Sequence, residues 1–242
     1  MRIVDTLHGR LKLRSLKYIL YVVLIVFLML STLRCGLESS RSYLNPPDVV
    51  DIASLDSQTF HFYSTDKNNE PEFQGFELYY KFYTDTTNIL ADTNYTTLDQ
   101  LKANGFNRVT NIGNGDSIPL IKVQTLHIGS NFEITVDFSP IRNSSNPEIF
   151  SATDSIVSEP VEIGRGVKDV FEVYKPFLDF QTNDLDIGSE IYNSVVNDNT
   201  PLFIVLYVLS FGNIFSDYYY SDCEYLGYID LANITNIKEY FH

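Results

Sequence analysis

The segment PLFIVLYVLSFG (201–212) constrains the fold more than any other stretch, because nearly every side chain in it is apolar. In an extended chain, Phe203, Val205, Tyr207, Leu209 and Phe211 line one face, and Leu202, Ile204, Leu206 and Val208 line the other. A strand wetted on one side alternates apolar with polar residues; this one does not, so both faces must be dry. As a helix it is far shorter than the roughly 20 residues that cross a bilayer. It reads as a central strand, and the rest of the chain must cover it twice.

Other segments show period two. In GFELYYKFY (75–83), Phe76, Leu78, Tyr80 and Phe82 share one face, leaving Glu77, Tyr79, Lys81 and Tyr83 on a wettable one. NFEITVDF (131–138) puts Phe132, Ile134, Val136 and Phe138 inward. TFHFY (59–63) pairs Phe60 with Phe62 and turns His61 away, and DVVDIA (48–53) looks like a short strand before it. SDCEYLGYIDL belongs to a last strand over 218–231, reached through a turn at Gly212 and Asn213. Cys223 in that strand reads as a small packing residue.

Between 84 and 130 the alternation breaks. Thr97 followed by Gln100 is a capping-box signature, with Leu98 and Leu101 on one side and Gly105 as a stop, so a short helix is expected inside an insertion. A second insertion near 140–200 is rich in Asn, Ser, Pro and acid. Within it VKDVFEVYKPF and SEIYNSVVNDN fit either a helix or a strand.

The N-terminus carries a different signal. Arg2, Arg10, Lys12, Arg14 and Lys17 precede the apolar run YILYVVLIVFLMLSTL (18–33), and Cys35 follows closely. These are the parts of an export signal. Two readings are open: a lipoprotein signal cut before a lipidated Cys35, or an uncleaved anchor helix with its basic end inside. Residues 1–34 are thus signal or anchor, 35–47 a tether stiffened by Pro46 and Pro47, and 48–242 the exported domain. The expected location is the cell envelope, membrane-anchored and extracytoplasmic, either periplasmic or on the surface.

Charge narrows the partners. Six of the 17 basic residues and one of the 31 acidic ones fall by Arg34, leaving 11 against 30 and a balance near −19. Such a surface repels nucleic-acid backbones and anionic headgroups, so no nucleic acid is expected and the membrane is held through the N-terminus alone.

Catalytic patterns are sparse. Gly115, Asp116 and Ser117 match the opening of GDSL-type hydrolases, but a polar turn precedes them and the one late histidine is His242, so a turn is the expected reading. His61, His127 and His242 are scattered, and Asn183, Asp184, Asp186 and Glu190 lack the spacing of a twelve-residue calcium loop. No cofactor, metal or catalytic residue is assigned. Tyr218, Tyr219 and Tyr220, with the outward Tyr79 and Tyr83, are the candidates for a partner-binding surface; an edge strand covered by the insertions explains them equally well.

The strand order resembles a fibronectin type III-like or immunoglobulin-like β-sandwich. Pro47 stands before the first strand, GFELYYKFY is similar to the third and FIVLYVLSFG to the sixth. Phe60 or Phe62 lies near the place of the usual tryptophan, and Phe203 at that of the corner tyrosine. The N-terminus resembles the looser lipoprotein signals of spirochaetes. Together these imply a mainly β, antiparallel sandwich with helix-bearing insertions behind an N-terminal apolar helix. The insertions are expected to pack over Leu202, Ile204, Leu206 and Val208. The expected role is a non-enzymatic binding or structural module of the envelope, with a protein partner there or in a host. An envelope hydrolase whose site forms only in the fold is the alternative.

Overall fold

The computed structural model describes residues 44–113, 118–139, 146–151, 161–165, 201–214 and 217–231, with Tyr21 and Phe177. The remainder of the apolar run, Cys35, the Gly115–Asp116–Ser117 turn, His242 and both ambiguous segments of the second insertion apart from Phe177 lie outside the described residues.

Among the described residues, nine strands lie in the compact unit that begins at Tyr43. In chain order they are β1 (Thr59–Ser64), β2 (Phe73–Tyr83), β3 (Asn107–Asn111), β4 (Ile121–Lys122) and β5 (Phe132–Asp137). Then come β6 (Glu148–Ser151), β7 (Val161–Arg165), β8 (Phe203–Ile214) and β9 (Asp217–Asp230). All named pairings are antiparallel, in the order β1-β5-β6-β7-β3-β2-β8-β9, with β4 also on β2. The path is barrel-like and nearly closed. The mainly β, antiparallel class is as expected, and the pairing is compatible with a sandwich or a barrel.

The expected insertions supply part of this path. β3 comes from the first of them, and it pairs Arg108 with Tyr79 of β2 and Val109 with Arg165 of β7. It therefore joins the half built on β2, β8 and β9 to the half built on β1, β5, β6 and β7. β6 and β7 come from the second insertion. Both insertions thus contribute strands to the wall.

The gap between β1 and β9 is laced by residues 48–53. Asp48 exchanges both backbone hydrogen bonds with Tyr63, at 2.9 and 2.8 Å. Ala53 donates to the Leu226 carbonyl at 2.9 Å and accepts from Tyr228 at 3.4 Å. The expected strand at 48–53 is thus reduced to two isolated bridges, one antiparallel and one parallel. Asn45 fastens the entering chain to β8. Its amide donates to Asn68 Oδ1 at 2.8 Å, and its carbonyl accepts from Ser210 Oγ at 2.7 Å.

β8 is central and buried on both faces up to Gly212, as its composition requires. Material from the insertions packs on both faces. Leu202, Ile204, Leu206 and Val208 point into the barrel, where they share a cluster with Phe60, Phe62 and Phe76 and, as expected, with Val109 and Ile121 of the first insertion and Ile149 and Ile163 of the second. The first insertion also covers the opposite face, Phe203, Val205, Tyr207 and Leu209. Two short helices do this, Thr86–Ala91 and Leu98–Ala103, through Ile89, Leu98 and Leu101, with Phe106 just beyond them. The second is the expected helix. Gln100 N–H donates to the Thr97 hydroxyl at 3.3 Å, Gln100 Oε1 reaches back to the Thr97 amide, and Gly105 follows at φ 80°. The first, capped by Asp85 accepting from the Asn88 amide at 3.0 Å, was not foreseen.

Burial of that outer face also overturns the wettable side of β2. Glu77, Tyr79, Lys81 and Tyr83 are all buried. The turn expected at Gly212 and Asn213 is strand, since β8 continues to Ile214.

Candidate binding surface

The polar groups trapped under the cover show what satisfied burial looks like here. Asp92, just after the first helix, receives Lys81 Nζ at 2.9 Å and the Tyr83 hydroxyl at 2.5 Å on Oδ2, and the Tyr95 hydroxyl at 2.7 Å on Oδ1. The Tyr207 hydroxyl donates to the Asp92 carbonyl at 2.8 Å. Burial works to raise the Asp92 pKa, but the hydrogen bonds from Tyr83, Tyr95 and Lys81 and the lysine charge outweigh it and hold the carboxyl below its usual range. Nearby, Arg108 grips Glu77 in bidentate fashion at 2.5 and 2.9 Å, and the Leu120 amide adds a bond at 3.1 Å. Every one of these groups is spoken for, so their role is to fix the cover on the sheet.

A smaller constellation lies on the outer side of β1 and β5. His61 Nδ1 stands 3.0 Å from Glu133 Oε1 and 3.2 Å from Thr135 Oγ1, and Nε2 stands 2.8 Å from Thr59 Oγ1. Both ring nitrogens are engaged. Among the described residues no group of three or more His, Cys, Asp or Glu is placed to hold a metal ion.

The surface that differs is on β9. Its pairing with β8 contains two register shifts, one between Leu206 and Tyr207 and one between Leu209 and Phe211. At the second, Ser221 and Asp222 stand opposite Ser210 alone, and Ser221 Oγ takes the Ser210 N–H at 2.8 Å. Each bulge resets which parity faces outward. As a result Tyr218, Tyr220, Cys223, Tyr225 and Tyr228 lie opposite Asn213, Phe211, Leu209, Tyr207 and Val205, all on the outer face of β8.

Four tyrosines thus stand in a row. Tyr218 is 55% exposed, and Tyr220, Tyr225 and Tyr228 are half-buried. Their rings rest on the strand behind: Tyr218 and Tyr220 on Phe211 at 5.4 and 5.5 Å, Tyr225 on Tyr207 at 5.3 Å, and Tyr228 on Phe203 at 6.3 Å between centroids. Among the described residues none of these four hydroxyls has a hydrogen-bond partner, whereas those of Tyr83, Tyr95 and Tyr207 all do. Burial, followed by the charge of Glu77, pushes the Tyr220 phenol up, and burial does the same to Tyr225. A ring held rigid by packing, with a polar tip left unpaired, is a ready contact for another molecule at little entropic cost.

The five tyrosines singled out from the sequence are therefore separated by the fold. Tyr79 and Tyr83 are not outward; they are buried in the layer beneath the helices. Tyr219 lies opposite Gly212 and packs against the interior cluster. Tyr218 and Tyr220 remain on the outer face, and Tyr225 and Tyr228 join them. Strict alternation from Tyr218 selects Asp222 and Glu224 in mid-strand instead, so only the bulges bring Tyr225 onto the face of Tyr218, Tyr220 and Tyr228.

Comparison of the chain with protein-family models, with curated proteins and with solved structures finds no match.

Proposed function

We propose that this chain is an exported, membrane-tethered lipoprotein of the spirochaete envelope type, and that its β domain is a non-enzymatic module that binds a protein partner through the outer face of β9. The observation that carries the reading is the row Tyr218, Tyr220, Tyr225 and Tyr228, packed at the ring and unpaired at the hydroxyl. Tyrosine is enriched at recognition surfaces for this combination of an apolar body and a polar tip. Export is supported by the basic start, the apolar run at 18–33 and the adjacent Cys35. Lipid on Cys35, or the apolar run kept as an anchor, holds the domain at the membrane.

The test is a photo-crosslinking amino acid placed at Tyr218 in intact cells, compared with the same group at Leu126, which is 83% exposed on another segment. Discrete protein adducts from position 218 alone are expected. Adducts no different from those at 126 would remove β9 as the binding face. Metabolic labelling with a fatty-acid analogue, in parent and Cys35→Ala chains, tests the tether separately: labelling that survives the substitution excludes lipidation at Cys35.

A further inference from the structure

We infer that residues 44–53 are a releasable strap, which closes the seam between β1 and β9 and comes away as one unit when a latch at Asn68 lets go of Asn45. β1 and β9 are the two ends of the strand order and are not paired with each other. The strap joins them, and among the described residues it bonds to them at two points. Asp48 meets Tyr63 of β1, and Ala53 meets Leu226 and Tyr228 of β9. Between those points Val50 and Ile52 are 70% and 61% exposed, and only Val49 packs against the core. β8, by contrast, is paired along its length with β2 on one side and β9 on the other. A segment with so few bonds and exposed apolar side chains opens at a lower free energy than such a strand.

The start of the strap is held by a side chain that imitates a strand edge. Asn68 Oδ1 accepts the Asn45 N–H at 2.8 Å, and Asn68 Nδ2 donates to the Asn45 carbonyl at 2.8 Å. Ser210 Oγ donates to the same carbonyl at 2.7 Å and accepts from Asn68 Nδ2 at 3.1 Å. Asn68 and Ser210 are both buried. The Asn68 backbone is fixed from elsewhere, its amide donating to the Thr65 carbonyl at 3.1 Å and its carbonyl accepting from the Gly129 amide at 3.0 Å. The latch therefore belongs to the body of the domain, and the strap is what docks into it. At the other end lies a hinge. In the exposed turn after Ala53, the Ser57 amide donates to the Ser54 carbonyl at 2.9 Å and the Ser54 amide to Ser57 Oγ at 3.2 Å. Both bonds stay within the turn, and the chain is anchored again at Gln58, whose carbonyl accepts from the Phe138 amide at 2.9 Å. Rotation at residues 54–57 thus frees the strap without breaking the pairing of β1 with β5. Release uncovers the edges of β1 and β9, and uncovered edges are templates for pairing with another chain. The closed strap withholds them.

The experiment is native-state hydrogen exchange on the full chain in zwitterionic detergent micelles, over a series of low denaturant concentrations. The amides of Asn45, Asp48, Tyr63, Ala53 and Tyr228 should exchange through one shared opening, at least about tenfold more frequent than the opening that exposes the amides of Leu206 to Leu209 in β8. Asn68→Ala should make the shared opening about tenfold more frequent again, through the hydrogen bonds it removes. Val205→Ala, beneath the helices and away from the strap, should speed the β8 amides about tenfold and leave the strap amides as in the parent. Strap amides that exchange only together with β8, or that accelerate with β8 in Val205→Ala, overturn the strap. An Asn68→Ala chain whose strap exchanges like the parent's overturns the latch. If Asn68→Ala does not fold, the parent and Val205→Ala decide the matter by themselves.

Discussion

Gly227 and Ala53 meet so closely that a Cβ on the glycine would lie 2.4 Å from the Ala53 carbonyl oxygen. Gly227 also has φ +111°, a conformation that L side chains rarely adopt. The contact sits where residues 48–53 lace β9 into the seam, so a single missing side chain permits the sheet to approach closure.

Gly227→Ala should therefore destabilise the domain by at least roughly 1–3 kcal/mol from the backbone alone. Hydrogen exchange distinguishes the mechanism. The Ala53 and Tyr228 amides, which bridge the seam, should lose protection first. Unchanged protection at both would show that the seam tolerates a Cβ.

Both faces of β8 are dry, but for different reasons. Leu206 faces the barrel interior and Val205 faces the helical cover. Leu206→Asp and Val205→Asp should each cost about 4 kcal/mol or more in denaturant titrations, since either buries an unpaired charge. A Val205→Asp chain that unfolds like the parent would mean that the helices lift off the sheet.

Asp92 ties that cover down. Its carboxyl titrates lower in the folded chain than in the unfolded one, so its contribution is fully present above the unfolded value, about 3.9, and is lost as pH falls through the lower folded value. Asp92→Asn should cost about 2–3 kcal/mol at neutral pH by weakening the bonds from Lys81, Tyr83 and Tyr95. The gap between parent and variant melting temperatures should narrow as the pH is taken below 4. A gap constant across that range would deny Asp92 its role.

Cys223 is buried, and burial pushes its thiol up to about 12. Its Sγ lies 3.4 Å from the Tyr95 carbonyl. Little thiolate exists at pH 8, so alkylation of the native chain at this position should be many times slower than in denaturant. Mass-spectrometric mapping separates it from Cys35. Equal rates in the two states would place Cys223 at the surface.

The local rules were legible in the residues themselves. The capping box at Thr97 and Gln100 formed as written, because its hydrogen bonds involve only neighbours in sequence. The double burial of β8 followed from a segment with no polar face, and the inward sets of β1 and β5 from simple alternation. What covers a face is a different matter, since the cover comes from distant sequence. Glu77, Tyr79, Lys81 and Tyr83 look wettable on β2, yet Asp92 and Arg108 arrive to satisfy Lys81, Tyr83 and Glu77, and the helices close over them.

The sequence by itself determined which segments extend and which of their sides are apolar, because side-chain period is a property of the strand alone. The tertiary structure decided which side of β8 became the interior, that β3 would join two half-sheets, and that Tyr225 would share the face of Tyr218 and Tyr220. Those outcomes depend on register between strands far apart in the chain, and a bulge of one extra residue reverses every side chain beyond it until the next.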